Sequence, residues 1–162
     1  MSTRDNLLEA FAGESQANRK YTAFARKADE EGYAGVARLF RAAAAAETVH
    51  ALNHLRVLGQ IGSTQENLKS AIEGETYEHT SMYPGFIEEA KAEGDQQAVM
   101  TFAGANAVEK IHADLYKKAF DDIDGGVDVY YVCQVCGNTV ENEAPDLCPI
   151  CQARKEAFVR VE

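Results

Sequence analysis

The chain has no tryptophan, no excess of basic charge and, anywhere before Cys133, no cysteine. Nor does it contain an apolar run near the roughly 20 residues that a membrane-spanning helix needs. The opening Met1-Ser2-Thr3-Arg4-Asp5-Asn6 is charged and lacks the apolar core of a secretion signal, so a cytoplasmic location is expected. A net charge of −10 argues against a nucleic-acid partner and against an anionic membrane surface, and leaves acidity available for holding cations. No glycine-rich nucleotide-binding motif is present. All the cysteines fall between Cys133 and Cys151, near the C-terminus, as two C-x-x-C pairs, a pattern that reads as metal ligation before disulfide bonding. At 162 residues the chain suits one domain of ordinary size, or one with a small appendage.

What is present is mostly helical periodicity. Leu7, Ala10, Glu14, Ala17, Tyr21, Phe24 and Ala28 form an unbroken stripe at steps of three and four, predicting a helix over 3–31 that stops at Gly32. A second helix is expected over 33–58, ended by Gly59. Its stripe of Val36, Phe40, Ala43, His54, Val57 and Ile61 also carries Glu47 and His50. Ser63-Thr64-Gln65-Glu66 reads as a capping box opening a third helix, in which Pro84 predicts a kink. Gly94 ends it and Asp95 caps a fourth, whose face holds Ala98, Phe102, Ala105, Glu109, His112, Tyr116 and Ala119. An acidic, glycine-rich linker, 121–126, separates the helices from a tail with short β-like pieces at 129–132 and 158–161. The domains expected are therefore 1–126 and 127–162.

The helical part repeats itself. One constant shift superposes Tyr21 on Tyr83, Phe24 on Phe86, Gly32 on Gly94, Phe40 on Phe102, Glu47 on Glu109 and His50 on His112. A shift shorter by one position superposes Gly13-Glu14 on Gly74-Glu75, so a single residue is gained between the two registers. Each helical hairpin thus contributes one Glu from its first helix and one Glu-x-x-His from its second. Glu and His three apart share a helix face, here a face that otherwise wants apolar side chains. A buried, unpaired carboxylate is too costly to leave there. Two Glu-x-x-His pairs with a Glu from each of two further helices form the ligand set of carboxylate-bridged two-metal helix bundles. Glu14, Glu47, Glu75 and Glu109 cancel two divalent ions, and mixed oxygen and nitrogen donors suit iron or manganese. Glu78 has no counterpart in the first hairpin, where Ala17 stands. This fifth carboxylate over-neutralises a divalent pair but suits a trivalent one, which points to redox chemistry. His54 reads as a core or supporting residue and His79 as peripheral. Tyr21 and Tyr83 are either ordinary core packing or hydrogen-bond partners of ligand carboxylates.

Cys133-Gln134-Val135-Cys136-Gly137 and Cys148-Pro149-Ile150-Cys151 form two knuckles, with 137–147 lying between Cys136 and Cys148. That spacing closes a tetrahedral thiolate site. Ligands alone leave iron and zinc open. A redox pair of metals elsewhere in the chain favours iron, with zinc possible as a substitute.

The chain resembles the rubrerythrins. The bundle is similar in Gly13-Glu14-Ser15, Glu47-x-x-His50, Glu75-x-x-Glu78 and Glu109-x-x-His112. The tail resembles rubredoxin in Cys133-x-x-Cys136-Gly137, Pro145, Cys148-Pro149-x-Cys151, Lys155 and Phe158. The resemblance implies a mainly α fold: a ferritin-like four-helix bundle followed by a small rubredoxin-like metal-binding domain with short β-strands. It implies a non-haem di-iron peroxidase of oxidative-stress defence, reducing hydrogen peroxide to water. Electrons would come from a reduced pyridine nucleotide through a separate reductase and a one-iron centre. It further implies that Glu47 and Glu109 bridge the irons, that Glu14 and Glu75 are terminal, and that His50 gives way to Glu78 on oxidation. Tyr21 and Tyr83 match tyrosines that bond ligand carboxylates in that family. Two other readings are an iron-oxidising protein of the ferritin type and a non-enzymatic interaction module with a zinc tail.

One feature departs from a closed ferritin-like bundle, in which the second and third helices run parallel. From Glu47 to Gly59 and from Thr64 to Glu75 the chain must cover about 34 Å in total at about 1.5 Å per residue. Residues 59–64 reach at most about 21 Å when fully extended. The expectation is a segment-swapped homodimer. Each site would take Glu14, Glu47 and His50 from one chain and Glu75, Glu78, Glu109 and His112 from the other.

Overall fold

The computed structural model describes residues 2–161. Its helices begin and end where local chemistry says they should. Helix α1 (Thr3–Glu30) opens on a capping box: the Asp5 amide donates to Ser2 Oγ at 3.2 Å and the Ser2 amide to Asp5 Oδ2 at 2.7 Å. Helix α3 (Thr64–Tyr77) opens the same way, with Ser63 and Glu66 in the two roles. The Asp95 carboxylate caps α5 (Gln96–Asp121) by accepting from the Ala98 amide at 3.0 Å. At the end of α4 (Tyr83–Glu93), Gly94 turns to φ 76°, and the Asp95 amide reaches back to the Ala90 carbonyl at 3.0 Å. A residue with a Cβ is strained in that left-handed turn. Its repeat partner Gly32 (φ 83°) closes α1 with the matching bond, Tyr33 amide to Ala28 carbonyl, 2.8 Å.

The irregularity expected at Pro84 takes a particular form. Between α3 and α4 lies a π-turn, Glu78–Met82, and the Tyr83 amide bonds the Glu78 carbonyl five residues back. Pro84 follows as the second residue of α4 and has no N–H to offer. The π-turn inserts one residue into the helix without ending it. That is the residue gained in the repeat, between the register that aligns Glu14 with Glu75 and the register that aligns Tyr21 with Tyr83. The backbone thus changes form at the unpaired carboxylate, Glu78.

The structure divides into two compact units, one up to Gly62 and one from Ser63 on. In the first, α1 packs on α2 (Ala34–Val57) through small residues. Ala37, Ala44, Ala51 and Leu58 are buried at strict heptad spacing, facing Asn18, Ala25 and Ala28 of α1. Buried Asn18 ties the pair together: its Nδ2 donates to the Ala44 carbonyl at 2.6 Å and to Thr48 Oγ1 at 2.7 Å. Of the expected stripes, Ala28 is buried in this interface, whereas Phe24 of α1 and Val36 and Val57 of α2 are exposed.

In the second unit α3, the π-turn and α4 pack against α5. The aromatic cluster of the first hairpin recurs there residue for residue. Tyr21, Phe24 and Phe40 have ring centroids 5.5–6.3 Å apart, and Tyr83, Phe86 and Phe102 have theirs 5.6–6.2 Å apart. The unit ends in a three-stranded antiparallel sheet of β1 (Tyr130–Cys133), β2 (Thr139–Glu141) and β3 (Phe158–Val161), ordered β2-β1-β3. Cys133, Ala144, Cys148 and Phe158 form its small core. The fold class is the one expected: mainly α, with a small sheet around the cysteines. No helix among the described residues is long and apolar enough to cross a membrane.

Candidate metal centres

Each unit gathers one Glu-x-x-His pair with one further Glu. In the first, Glu14 of α1 meets Glu47 and His50 of α2, and in the second Glu75 of α3 meets Glu109 and His112 of α5. The two clusters have nearly the same dimensions. His50 Nδ1 lies 2.8 Å from Glu47 Oε2 and 3.8 Å from Glu14 Oε1. His112 Nδ1 lies 2.9 Å from Glu109 Oε2 and 3.7 Å from Glu75 Oε2. Octahedral ligands at about 2.1 Å from an ion sit about 3 Å from their neighbours, so each cluster fits around one ion with modest adjustment. Each supplies one nitrogen and two carboxylates, half of a two-metal set.

Without an ion the second cluster is electrostatically uncomfortable. Burial, then the hydrogen bond and negative charge of Glu109, push the Glu75 carboxyl up to about 7. Glu78 lies in the π-turn, outside the tight cluster, yet burial and the charge of Glu109 raise its pKa too. The Tyr83 phenol is likewise raised, by burial first and then by Glu109, Glu78 and Glu75, which places its ring within the field of those carboxylates. Among the described residues no hydrogen bond joins the Tyr21 or Tyr83 hydroxyl to a ligand carboxylate. Half-buried His54 and His79 lie outside both clusters.

The cysteine site is built from two matching knuckles. The Gly137 amide bonds the Cys133 carbonyl at 2.8 Å, and the Gln152 amide bonds the Cys148 carbonyl at 2.9 Å, with Gly137 and Gln152 both at positive φ. The turns aim amides at sulfur. Burial pushes the Cys148 thiol up, but the amides of Cys151 and Ile150, together with the Cys136 and Cys151 thiols, bring it down to about 7. Burial holds the Cys136 thiol at about 12 against the Asn138 amide. All four cysteines are free, and sulfurs approach across the knuckles at 3.7 Å (Cys133–Cys151) and 3.6 Å (Cys136–Cys148). A tetrahedron with metal–sulfur bonds of about 2.3 Å has edges of about 3.8 Å, so the thiolates fit one metal.

Three neighbours of these sites carried no clear sequence signal. Asn138 is fully buried, donates Nδ2 to Cys148 Sγ at 3.6 Å and leaves its own Oδ1 without a partner. Thr139 Oγ1 lies 3.0 Å from His112 Nε2. Thr48, beside Glu47, receives the Asn18 bond described above. Only contact between distant segments marks them out, although Asn138 and Thr139 directly follow the Cys136-Gly137 knuckle.

Fold and sites together define a class: a non-haem metalloprotein with a carboxylate–histidine metal-pair site and a four-thiolate site on one chain. Comparison with known proteins narrows it. The family described as Rubrerythrin matches residues 5–120, and the one described as Rubrerythrin, rubredoxin-like domain matches residues 131–159. Nigerythrin of Nitratidesulfovibrio vulgaris is 40% identical over 172 residues, covering 97% of this chain and 85% of that protein. Rubrerythrin of Porphyromonas gingivalis is 37% identical over 176 residues, covering 96% and 88%. The solved structure of fully reduced, all-ferrous nigerythrin matches with a TM-score of 0.61 at 39% identity, covering 99% of this chain and 87% of that one. The chain belongs to the rubrerythrin family. Its metal centres are accordingly a di-iron site and a rubredoxin-like four-cysteine site, and this is consistent with an oxidoreductase role.

Proposed function

We propose that the chain is a peroxidase that reduces hydrogen peroxide to water in the cytoplasm, as part of defence against oxidative stress. Electrons enter through the four-cysteine iron centre from a separate reductase. The observation that carries this reading is the presence, on one chain, of a duplicated carboxylate–histidine set and a tetrahedral thiolate cage. One is suited to two-electron chemistry and the other to delivering electrons singly. When bound, the iron pair supplies the two electrons that break the oxygen–oxygen bond. Glu47 and Glu109, with Glu14 and Glu75, would hold the iron pair through carboxylate oxygens, the first two shared between the metals by family resemblance, and His50 and His112 would each give one nitrogen. Glu78, in its π-turn, would be the further carboxylate that can replace His50 as a donor where the oxidised iron pair calls for more negative charge. In the assembled site Tyr21 and Tyr83 would hold ligand carboxylates, a contact that neither makes among the described residues of one chain. Cys133, Cys136, Cys148 and Cys151 hold the single iron, and the working boundary between the two functions is at 126/127.

The active form in this reading is a segment-swapped homodimer. Each unit carries half a ligand set, and the link between α2 and α3 is too short to return to the start of a parallel helix. Both units also expose large apolar side chains: Leu39, Val49 and Val57 in the first, Phe86 and Met100 in the second. So much exposed apolar surface is unusual on a soluble monomer and suits a docking face. Each site then joins Glu14, Glu47 and His50 of one chain to Glu75, Glu78, Glu109 and His112 of the other.

Glu47→Ala or Glu109→Ala tests the assignment. Each variant is expected to lose di-iron binding and peroxide turnover while the cysteine site still takes up iron and its red colour. Turnover retained in either variant contradicts it.

A further inference from the structure

We propose that Thr139, from the cysteine-bearing segment, is a positioning residue that sets the tautomer and orientation of His112. This rests on His112 being a metal ligand. The two ring nitrogens have unlike surroundings. Nδ1 faces Glu109 and Glu75 at 2.9 and 3.7 Å, and Nε2 faces Thr139 Oγ1 at 3.0 Å. The hydroxyl has one proton, and it is committed: Thr139 Oγ1 donates to the Gly137 carbonyl at 3.1 Å. With that bond made, the oxygen accepts from the ring and so favours a proton on Nε2. Glu109 pulls the other way, because its oxygen 2.9 Å from Nδ1 can only accept; Thr139 holds the proton on Nε2 against that pull and keeps Nδ1 for a metal.

The acceptor at the end of this relay is itself fixed. Gly137 follows Cys136, holds φ 83° and anchors its amide on the Cys133 carbonyl at 2.8 Å. Strand β2 holds Thr139 against β1, where Val132 pairs with it. The relay from His112 Nε2–H through the Thr139 hydroxyl to the Gly137 carbonyl therefore runs from a carboxylate-site ligand to the first cysteine knuckle. The cysteine segment thereby prepares a ligand of the other centre. Among the described residues His50 has no equivalent in its own unit. Its bonds there, to Glu47 and Glu14, all engage Nδ1, and its ring is twice as exposed, 54% against 27%. The repeat could not supply one, because no cysteine segment follows the first hairpin.

The test uses the full chain with zinc in the cysteine site and the carboxylate sites metal-free, in wild-type, Thr139→Val and Thr139→Ser forms. Nitrogen-15 NMR of the neutral His112 ring reads which nitrogen is protonated, and Co²⁺ titration reads metal affinity. Wild type and Thr139→Ser are expected to hold the proton on Nε2, and a wild-type ring that carries it on Nδ1, toward Glu109, overturns the proposal. Thr139→Val should populate the Nδ1–H tautomer and bind Co²⁺ about 10-fold more weakly. A Thr139→Val ring that keeps Nε2–H with Co²⁺ affinity within about twofold of wild type overturns the proposal. So does Thr139→Ser failing as badly as Thr139→Val, since the hydroxyl would then not be the operative group. Failure of the wild type to bind Co²⁺ would instead count against His112 as a ligand, and the tautomer measurement would still stand by itself.

Discussion

Mixing two inactive variants, Glu47→Ala and Glu109→Ala, is expected to restore peroxide turnover if each iron site is shared between two chains. In the swapped dimer, a site takes Glu47 from one chain and Glu109 from the other. A heterodimer of the two variants then has one site missing both bridging carboxylates and one site missing neither. Random pairing of equal amounts makes about half of all dimers mixed, so intact sites reach about a quarter of the wild-type number. The variants must be co-expressed or refolded together, because interleaved hairpins exchange only on unfolding. Iron content in the carboxylate site and peroxide turnover should both recover to about that quarter, and purification through two different tags should concentrate them in the mixed species. If each chain builds its own site, every site lacks one bridging carboxylate and nothing recovers. Absence of both iron and turnover from a purified mixed dimer would refute the sharing, and with it the reasoning from the short 59–64 link.

Three further outcomes follow from individual groups. Glu75 in the metal-free protein has its pKa raised from 4.5 to about 7, so the folded state keeps a proton that the unfolded state loses between those values. Stability of the metal-free chain should therefore fall as pH rises from about 4.5 to about 7, by at most about 3 kcal/mol, and level off above that. Urea melts at several pH values check this, Glu75→Gln should flatten the slope, and a wild-type profile that rises instead would contradict it. Asn18→Ala removes the amide that bonds the Ala44 carbonyl and Thr48, and should cost about 1–3 kcal/mol in urea unfolding. A loss within the error of the melt would show that the buried bridge is not holding the hairpin. Asn138→Ala removes an N–H donor from Cys148 Sγ, and should move the reduction potential of the cysteine-site iron to a lower value in an optical titration. An unchanged or raised potential would contradict a role for that bond.

Helix limits were legible because caps and stops are local chemistry. Ser63 with Glu66, Asp95, Gly32 and Gly94 each act within a few residues of where they stand. The two carboxylate–histidine clusters were legible because a repeat with one added residue preserves spacing, and a π-turn accommodates the extra residue. The expected kink at Pro84 identified the right neighbourhood but not its form, since a missing N–H does not say how the helix absorbs the change. The α1–α2 interface was not anticipated. Phe24 and Val36, the conspicuous members of the expected stripes, are exposed, while the buried heptad of Ala37, Ala44 and Ala51 was lost in an alanine-rich segment. Strand β2 was missed because three residues carry too little pattern. Thr139 and Asn138 were invisible for a different reason: their partners, His112 and Cys148, are distant in sequence, and neither residue type signals a site by itself.

The central claim is that the di-iron centre consumes peroxide and is refilled through the cysteine-site iron. Rapid mixing of the fully reduced protein with hydrogen peroxide and, separately, with dioxygen, reading both iron centres optically, tests it most directly. The expected result is faster oxidation by peroxide than by dioxygen, with the carboxylate site oxidised first and the red colour of the ferric cysteine site appearing after it. Faster reaction with dioxygen, or a cysteine site that stays reduced while peroxide is consumed, would contradict the account.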